Sequence, residues 1–230
     1  VLARAPVFRG FVAWYFFFND TGTPEIYTLR DTLGNAALAL MHQAADALAW
    51  LLVIGLYWWV YQYRLFDLPT AWWTIALLFV AQDFFYYFFH RAHHRVRWMW
   101  ASHVVHHSSE RLNFSTAFRQ SLTYPVSGMW VFWLPLAWLG FSPPHIVAVV
   151  AINLGFQFFV HTQAVGRLGW LENVFNTPSH HRVHHARNPK YIDRNYAGVL
   201  IIWDKLFGSF VEADPAVPCE YGIVKAVRTH

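Results

Sequence analysis

The sequence predicts an all-α integral membrane protein with about four transmembrane helices and a cytoplasmic helical cap that carries a histidine-rich di-metal site. Composition is the first ground for this. Of 230 residues, 56% are hydrophobic and 20% aromatic, and only 13% are charged, whereas soluble domains carry about 25% charged residues. Such a chain is suited to lipid as its solvent. The second ground is a succession of apolar stretches near the length that a bilayer demands, about 20 residues for a helix. The third is the placing of the histidines, most of which crowd at the ends of those stretches.

The elements follow in order. Residues 1–30 are mixed, and FVAWYFFFN (11–19) is too short to cross a bilayer. It reads either as an interfacial helix or as the tail of a span; the chain opens on Val1, which leaves room for residues upstream, and no cleavable signal peptide is visible. A first span is expected over 36–61 despite His42, Gln43 and Asp46, with tryptophan and tyrosine crowding its far end as an aromatic belt. After a loop holding Arg64 and Asp67, Pro69 marks a helix start. The second span, 70–90, delivers His90 at its end. Residues 91–121 are polar, basic and expected to be helical outside the hydrocarbon. The third span, 122–139, contains Pro125, Gly128 and Pro135, breaks that membrane helices tolerate when neighbours satisfy the freed carbonyls. A fourth span, 145–163, places His161 at its exit, and the remainder is too polar for another crossing. One domain over 1–230 accommodates all of this, with metal-binding segments at 90–121 and 161–210.

Charge orients the scheme. Five of the seventeen Lys and Arg residues lie in 91–121 and eight after 164, while the two opposite loops hold only Arg64. The positive-inside rule therefore puts every histidine box on the cytoplasmic face. It also gives the net charge of +4 and pI of 9.3 a membrane meaning, so no nucleic-acid partner is expected. The single cysteine, Cys219, excludes an internal disulfide and a cysteine-based metal site.

Twelve of the fourteen histidines fall between 90 and 185, and all of these but His145 lie in, beside or near a box. His90 and His94 stand four apart, one helical turn up the same face. His103, His106 and His107 make an H-x-x-H-H box, and His181, His184 and His185 make another. Histidine can accumulate at a membrane interface without function, and His42, His145 and His230, outside any box, receive that reading. Eight imidazoles at repeated ligand spacings are too many for one tetrahedral zinc, and imidazole suits iron, zinc, copper and nickel. Two metals are the natural reading. A transporter or metal-binding scaffold is the non-enzymatic alternative, but a transporter wants ionisable groups at mid-membrane and these cluster at one face.

The boxes H-x-x-x-H, H-x-x-H-H and H-x-x-H-H on a helical membrane scaffold resemble the sterol desaturase and fatty acid hydroxylase superfamily. Within it, HHSSERLNFSTAFRQS (106–121) and NTPSHHRVHHARNPKYIDRNYAGVLIIWDKLFGSF (176–210) resemble the alkylglycerol monooxygenase family. The match covers about 83–212. The resemblance implies two irons, zinc substituting in overproduced protein, and O2-dependent oxidation of an aliphatic C–H bond in a long-chain lipid, with an ether lipid, a sterol or a fatty acid as substrate and hydroxylation or desaturation as outcome. It implies His90, His94, His103, His106, His107, His181, His184 and His185 as ligands, and adds His161 as a ninth. His93 and His180 sit beside the boxes; Asp83, seven residues before His90, and Asn195 and Asp204 in the matched run join them as candidates to support the ligand rings. An external reductant is also implied. In animal alkylglycerol monooxygenases a glutamate tied to tetrahydrobiopterin follows the second histidine of the first box. Arg95 stands there in this chain, which speaks against that pterin and for an acidic electron-transfer protein drawn to the basic face.

Overall fold

A computed structural model describes residues 27–224; the aromatic run at 11–19 and His230 lie outside them. Helix α1, Leu29–Gln62, begins at Thr28, whose hydroxyl accepts from the Asp31 amide. Only Asn35 and Tyr57 are buried along its 34 residues, while Leu40, Leu48, Leu51 and Leu52 face outward. Water would penalise that surface at about 25 cal/mol per Å² of apolar area; lipid does not. Helix α2, Trp72–Arg95, ends at Val96, whose extended backbone (φ −98°, ψ 117°) breaks the helix for one residue before α3, Arg97–His107. That break folds α3 back against the end of α2, bringing the second histidine box over the first.

The third expected span is not one helix. It divides into α4 (Tyr124–Ser127), a 3₁₀ turn (Met129–Trp133) and α5 (Leu134–Leu139). Gly128 and Gly140 end the two α-helices in the left-handed region, with φ of 90° and 113°, and Pro125 and Pro135 occupy first turns. Each proline lacks the N–H that would carry a helix through it. The segment still runs the length of the bundle. Tyr124 lies beside His103 at one end, and the Trp138 carbonyl accepts from Leu65 N (2.8 Å) at the other. At that far end Gly140 approaches the Phe66 carbonyl so closely that no Cβ would fit. Among the described residues three helices are long and apolar enough to cross a membrane: α1, α2 and α6, Pro143–Val160. They pack around a core of Tyr57, Leu78, Tyr86, Phe89, Trp133 and Ile146.

The cap is formed by α7 (Pro178–His184), α8 (Ile202–Leu206) and the loops around them; isolated bridges occur but no strand, among the described residues. Asp83 ties this cap to the helices. Its carboxyl oxygens accept from Val199 N (2.8 Å), Leu200 N, Trp203 Nε1 and Asn153 Nδ2 (2.9 Å each). Gly198 lies between, where a Cβ would meet Tyr86, Asn153 and Asp83 at 2.8–2.9 Å. Asp204 holds the neighbouring turn by accepting from Tyr196 N, Ala197 N and Ser209 Oγ.

Candidate metal centre

The nine histidines named above come together in two adjoining groups. His90, His94, His103, His107 and His184 form one; His106, His161, His181 and His185 form the other, with the ligand atoms of each group lying within 4.8 Å of one another. They arrive from the end of α2, from α3, from the residue that caps α6, and from α7 and the residue after it. Helical spacing accounts for the local sets, since residues three and four apart share a face.

Hydrogen bonds on the outer edge of the rings decide which nitrogen faces inward. His90 Nδ1 donates to the Tyr196 carbonyl (2.8 Å), His106 Nδ1 to Arg119 (3.3 Å), His161 Nδ1 to Gln157 (2.7 Å) and His184 Nδ1 to Arg194 (3.0 Å). A carbonyl only accepts, so the proton of each neutral ring sits on Nδ1 and Nε2 is bare. Bare nitrogens nevertheless meet: His106 Nε2 stands 3.1 Å from His161 Nε2. Close Nε2 pairs also join His90 to His103 (3.0 Å), His103 to His107 (3.1 Å), and His181 to His161 (2.9 Å) and His185 (3.1 Å), where no carbonyl fixes the tautomer of His103, His107, His181 or His185. His94 Nε2 and His184 Nε2 are buried with no hydrogen-bond partner among the described residues. Lone pairs aimed at one another repel unless a cation lies between them. Two nitrogens bound at about 2.1 Å and at right angles on one ion stand about 3.0 Å apart, so the spacing fits shared coordination by two metal ions.

Burial is the main reason the His103, His106, His107, His181, His184 and His185 rings sit well below the ordinary histidine pKa, and it pulls His161 down to about 4. Neutral imidazole is the metal-binding form. Tyr124 OH makes a short contact with His103 Nδ1. Asp193 lies 3.5 Å from His94 Nδ1 and 3.4 Å from Arg95 Nε; the His94 ring, with Arg95, holds its carboxyl below the usual range. Asp193 and Tyr124 were not anticipated from sequence. An aspartate in an unremarkable YIDRNY run gives no signal of a partner a hundred residues away, and backbone carbonyl acceptors give none either.

The five residues expected to support the rings are all buried, but they act further out. Asp83 and Asp204 fix the 195–200 loop, and with it the Tyr196 carbonyl that His90 uses. Asn195, in the left-handed region at φ 54°, bonds the carbonyls of His180 and Val211 and the Val211 amide. His93 bonds the Phe89 carbonyl and Ser127 Oγ and stacks on Tyr124. His180 packs edge-on to Phe210. Neither His93 nor His180 joins a group.

The histidines form a wall between two cavities. A chamber of about 550 Å³ reaches His90, His103, His106, His161 and His181 from the side of the helices, between α1, α2 and α6. Phe118, Leu154 and Phe159, which line it, are exposed on the bundle surface. A cleft of about 210 Å³ reaches His94, His107, His184 and His185 from the cap.

A sequence profile described as fatty acid hydroxylase matches residues 75–209. The chain is 51% identical over 169 residues to human alkylglycerol monooxygenase, covering 73% of this chain and 37% of that protein. It is 40% identical over 222 residues to the Caenorhabditis elegans alkylglycerol monooxygenase, covering 94% and 43%. A Rhizobium tropici protein named ornithine lipid hydroxylase OlsE is 30% identical over 145 residues, covering 62% and 44%. The chain thus spans about two fifths of the length of these curated relatives. No solved structure gives a significant match.

Proposed function

Because this chain belongs to the fatty acid hydroxylase family, we propose that it is an O2-dependent membrane monooxygenase that hydroxylates an aliphatic C–H bond of a long-chain lipid, its nine histidines holding two irons. One observation carries the reading: imidazole groups of five and four stand side by side at the inner end of an apolar chamber that opens between membrane-length helices. When bound, the two metals supply O2 activation and the oxidising power for the C–H bond.

The protein's own contribution is placement. Phe89, Phe118, Leu154 and Phe158 wall the chamber, sheathing an acyl or alkyl chain and excluding water from its path. The carbonyls of Tyr196, Arg119, Gln157 and Arg194 fix the ring tautomers, and Tyr124 holds the outer edge of His103. The overall change takes R–H, O2, two electrons and two protons to R–OH and water. With a glyceryl ether, the substrate class that the names of two relatives suggest, hydroxylation beside the ether oxygen gives a hemiacetal, which collapses to an aldehyde and a free alcohol. Electrons enter from the cap side, placed in the cytoplasm by the positive-inside rule. Arg95 favours an acidic electron-transfer protein over tetrahydrobiopterin as their source.

The test is elemental analysis together with turnover of a 1-O-alkylglycerol under ¹⁸O2. We expect about two metal ions per chain and one ¹⁸O atom in the aldehyde when it is trapped before exchange with water. One metal or none in active protein, or product oxygen derived from water, would overturn the reading.

A further inference from the structure

The stripe Ala39, His42, Gln43 and Asp46 on α1 lines the chamber, although nothing in the histidine pattern draws attention to it. Asp46 lies about 16 Å along α1 from the buried Asn35, at 1.5 Å per residue, deep in a candidate span. His42 Nε2 and Asp46 Oδ2 are 3.3 Å apart. His42 Nδ1 donates to the Ser121 carbonyl (3.0 Å), so its proton is committed there. Ring and carboxyl thus face each other on the chamber wall. Asp46 Oδ1 has no hydrogen-bond partner among the described residues, and Asp46 lines both the chamber and a small pocket beside Trp50 and Trp130. The His42 ring also packs edge-on to Tyr124 (5.9 Å between centroids), whose hydroxyl meets His103. The pair is thus one aromatic ring away from the metal centre.

An ionisable pair inside a span is costly and marks a functional position. Away from the histidines at the chamber's inner end, its other polar side chains, Gln43, Gln120, Gln157, Tyr86 and Tyr124, are uncharged. A charged headgroup would lose its hydration here without a full countercharge. A neutral hydroxyl would exchange its water partners for Asp46 as acceptor and a glutamine amide as donor.

We infer that the His42–Asp46 pair is the polar anchor of the chamber, binding a hydroxyl of an uncharged lipid and so setting which carbon stands before the histidines. The inference rests on the lipid-hydroxylase reading for its consequence, but the binding is measurable without turnover. The experiment uses radiolabelled 1-O-hexadecylglycerol and its di-O-methyl ether, with metal-loaded full chain in detergent and no reductant. Wild type should bind the diol at least tenfold more tightly than the dimethyl ether. In Asp46→Leu the preference should fall below threefold, with metal content and melting temperature kept. The near-isosteric Asp46→Asn, made in parallel should the leucine variant not fold, should lose at least threefold of the preference.

Equal binding of the two lipids by wild type, or a preference retained in a folded variant, overturns the anchor. Turnover separates the two ideas. Wild-type binding preference without oxidation would leave the anchor standing and remove the monooxygenase reading. Oxidation of both lipids with equal KM in wild type and Asp46→Asn would do the reverse.

Discussion

A ring nitrogen that donates to a carbonyl has spent its proton, and at the residue scale what the other nitrogen then faces separates the candidate ligands from bystanders such as His42 and His93. His106 and His161 each spend theirs outward and then face one another with bare Nε2 atoms. His145, by contrast, meets Ser142 Oγ at 2.7 Å by the α6 N-terminus, far along the helix from His161. We predict that His106→Ala and His184→Ala each lower metal content measurably and activity at least ~100-fold, above the 10- to 100-fold typical of losing a ligand's supporting partner. His145→Ala should change both by less than twofold, and equal losses in the two classes would contradict the assignment. The convergence of these nine histidines was legible from spacing and resemblance. Their carbonyl partners were not, because a carbonyl acceptor carries no sequence signature.

Arg95 belongs to the same scale. Its pairing with Asp193 means that a carboxylate does stand beside His94, but one already engaged by a cation. Exchanging a glutamate for an arginine changes the local charge by two units, worth on the order of 1 kcal/mol or more at close range near a protein surface. Tetrahydrobiopterin alone should therefore not sustain turnover, while a ferredoxin and its reductase should. Robust product with the pterin alone would show that Arg95 carries no such meaning. Arg95→Glu should leave the metal in place, since arginine is no ligand.

At the scale of elements, the sequence indicated α1, α2 and α6 closely, within the one to seven residues by which caps and polar first turns shift a boundary. It misjudged the third segment. Pro125, Gly128 and Pro135 were visible and read as tolerated breaks. The structure shows them as real ends, with Gly128 in a left-handed cap and both prolines opening new turns. A helix can absorb one such residue; three within eleven positions leave too few consecutive N–H donors. Asp83 is the other element-scale lesson, for it joins α2 to the cap and not to a metal ligand. Asp83→Asn would turn an amide NH2 toward two N–H donors, leaving buried groups unsatisfied at about 1–3 kcal/mol each. We predict a fall in melting temperature of several degrees and weaker metal retention under chelator, with full stoichiometry in excess metal. An unchanged melting temperature would mean that Asp83 does not clamp the cap.

The whole molecule is asymmetric, and its orientation is open to direct test. The cap and the histidine wall lie at one end, with Arg187 exposed there in its pair with Glu220. The loop at Phe66 and the tight turn at Gly140 lie at the other, joined by the Leu65–Trp138 hydrogen bond. Between the ends pass α1, α2, the broken α4–α5 segment and α6, so an even number of passages returns the chain to the cap. With five cations in 91–121, eight after 164 and one in the opposite loops, the positive-inside rule assigns the cap to the cytoplasm. The assay places single cysteines at Arg187 and at Phe66 in a Cys219→Ser background and treats sealed vesicles of known orientation with a membrane-impermeant maleimide. Arg187→Cys should label only from the cytoplasmic side and Phe66→Cys only from the other. Labelling of both from one side would mean that the bundle does not cross the bilayer as a unit. Labelling with the sides exchanged would put the histidines, and whatever donates electrons to them, outside the cytoplasm, and the case for a cytoplasmic protein donor would fall with it.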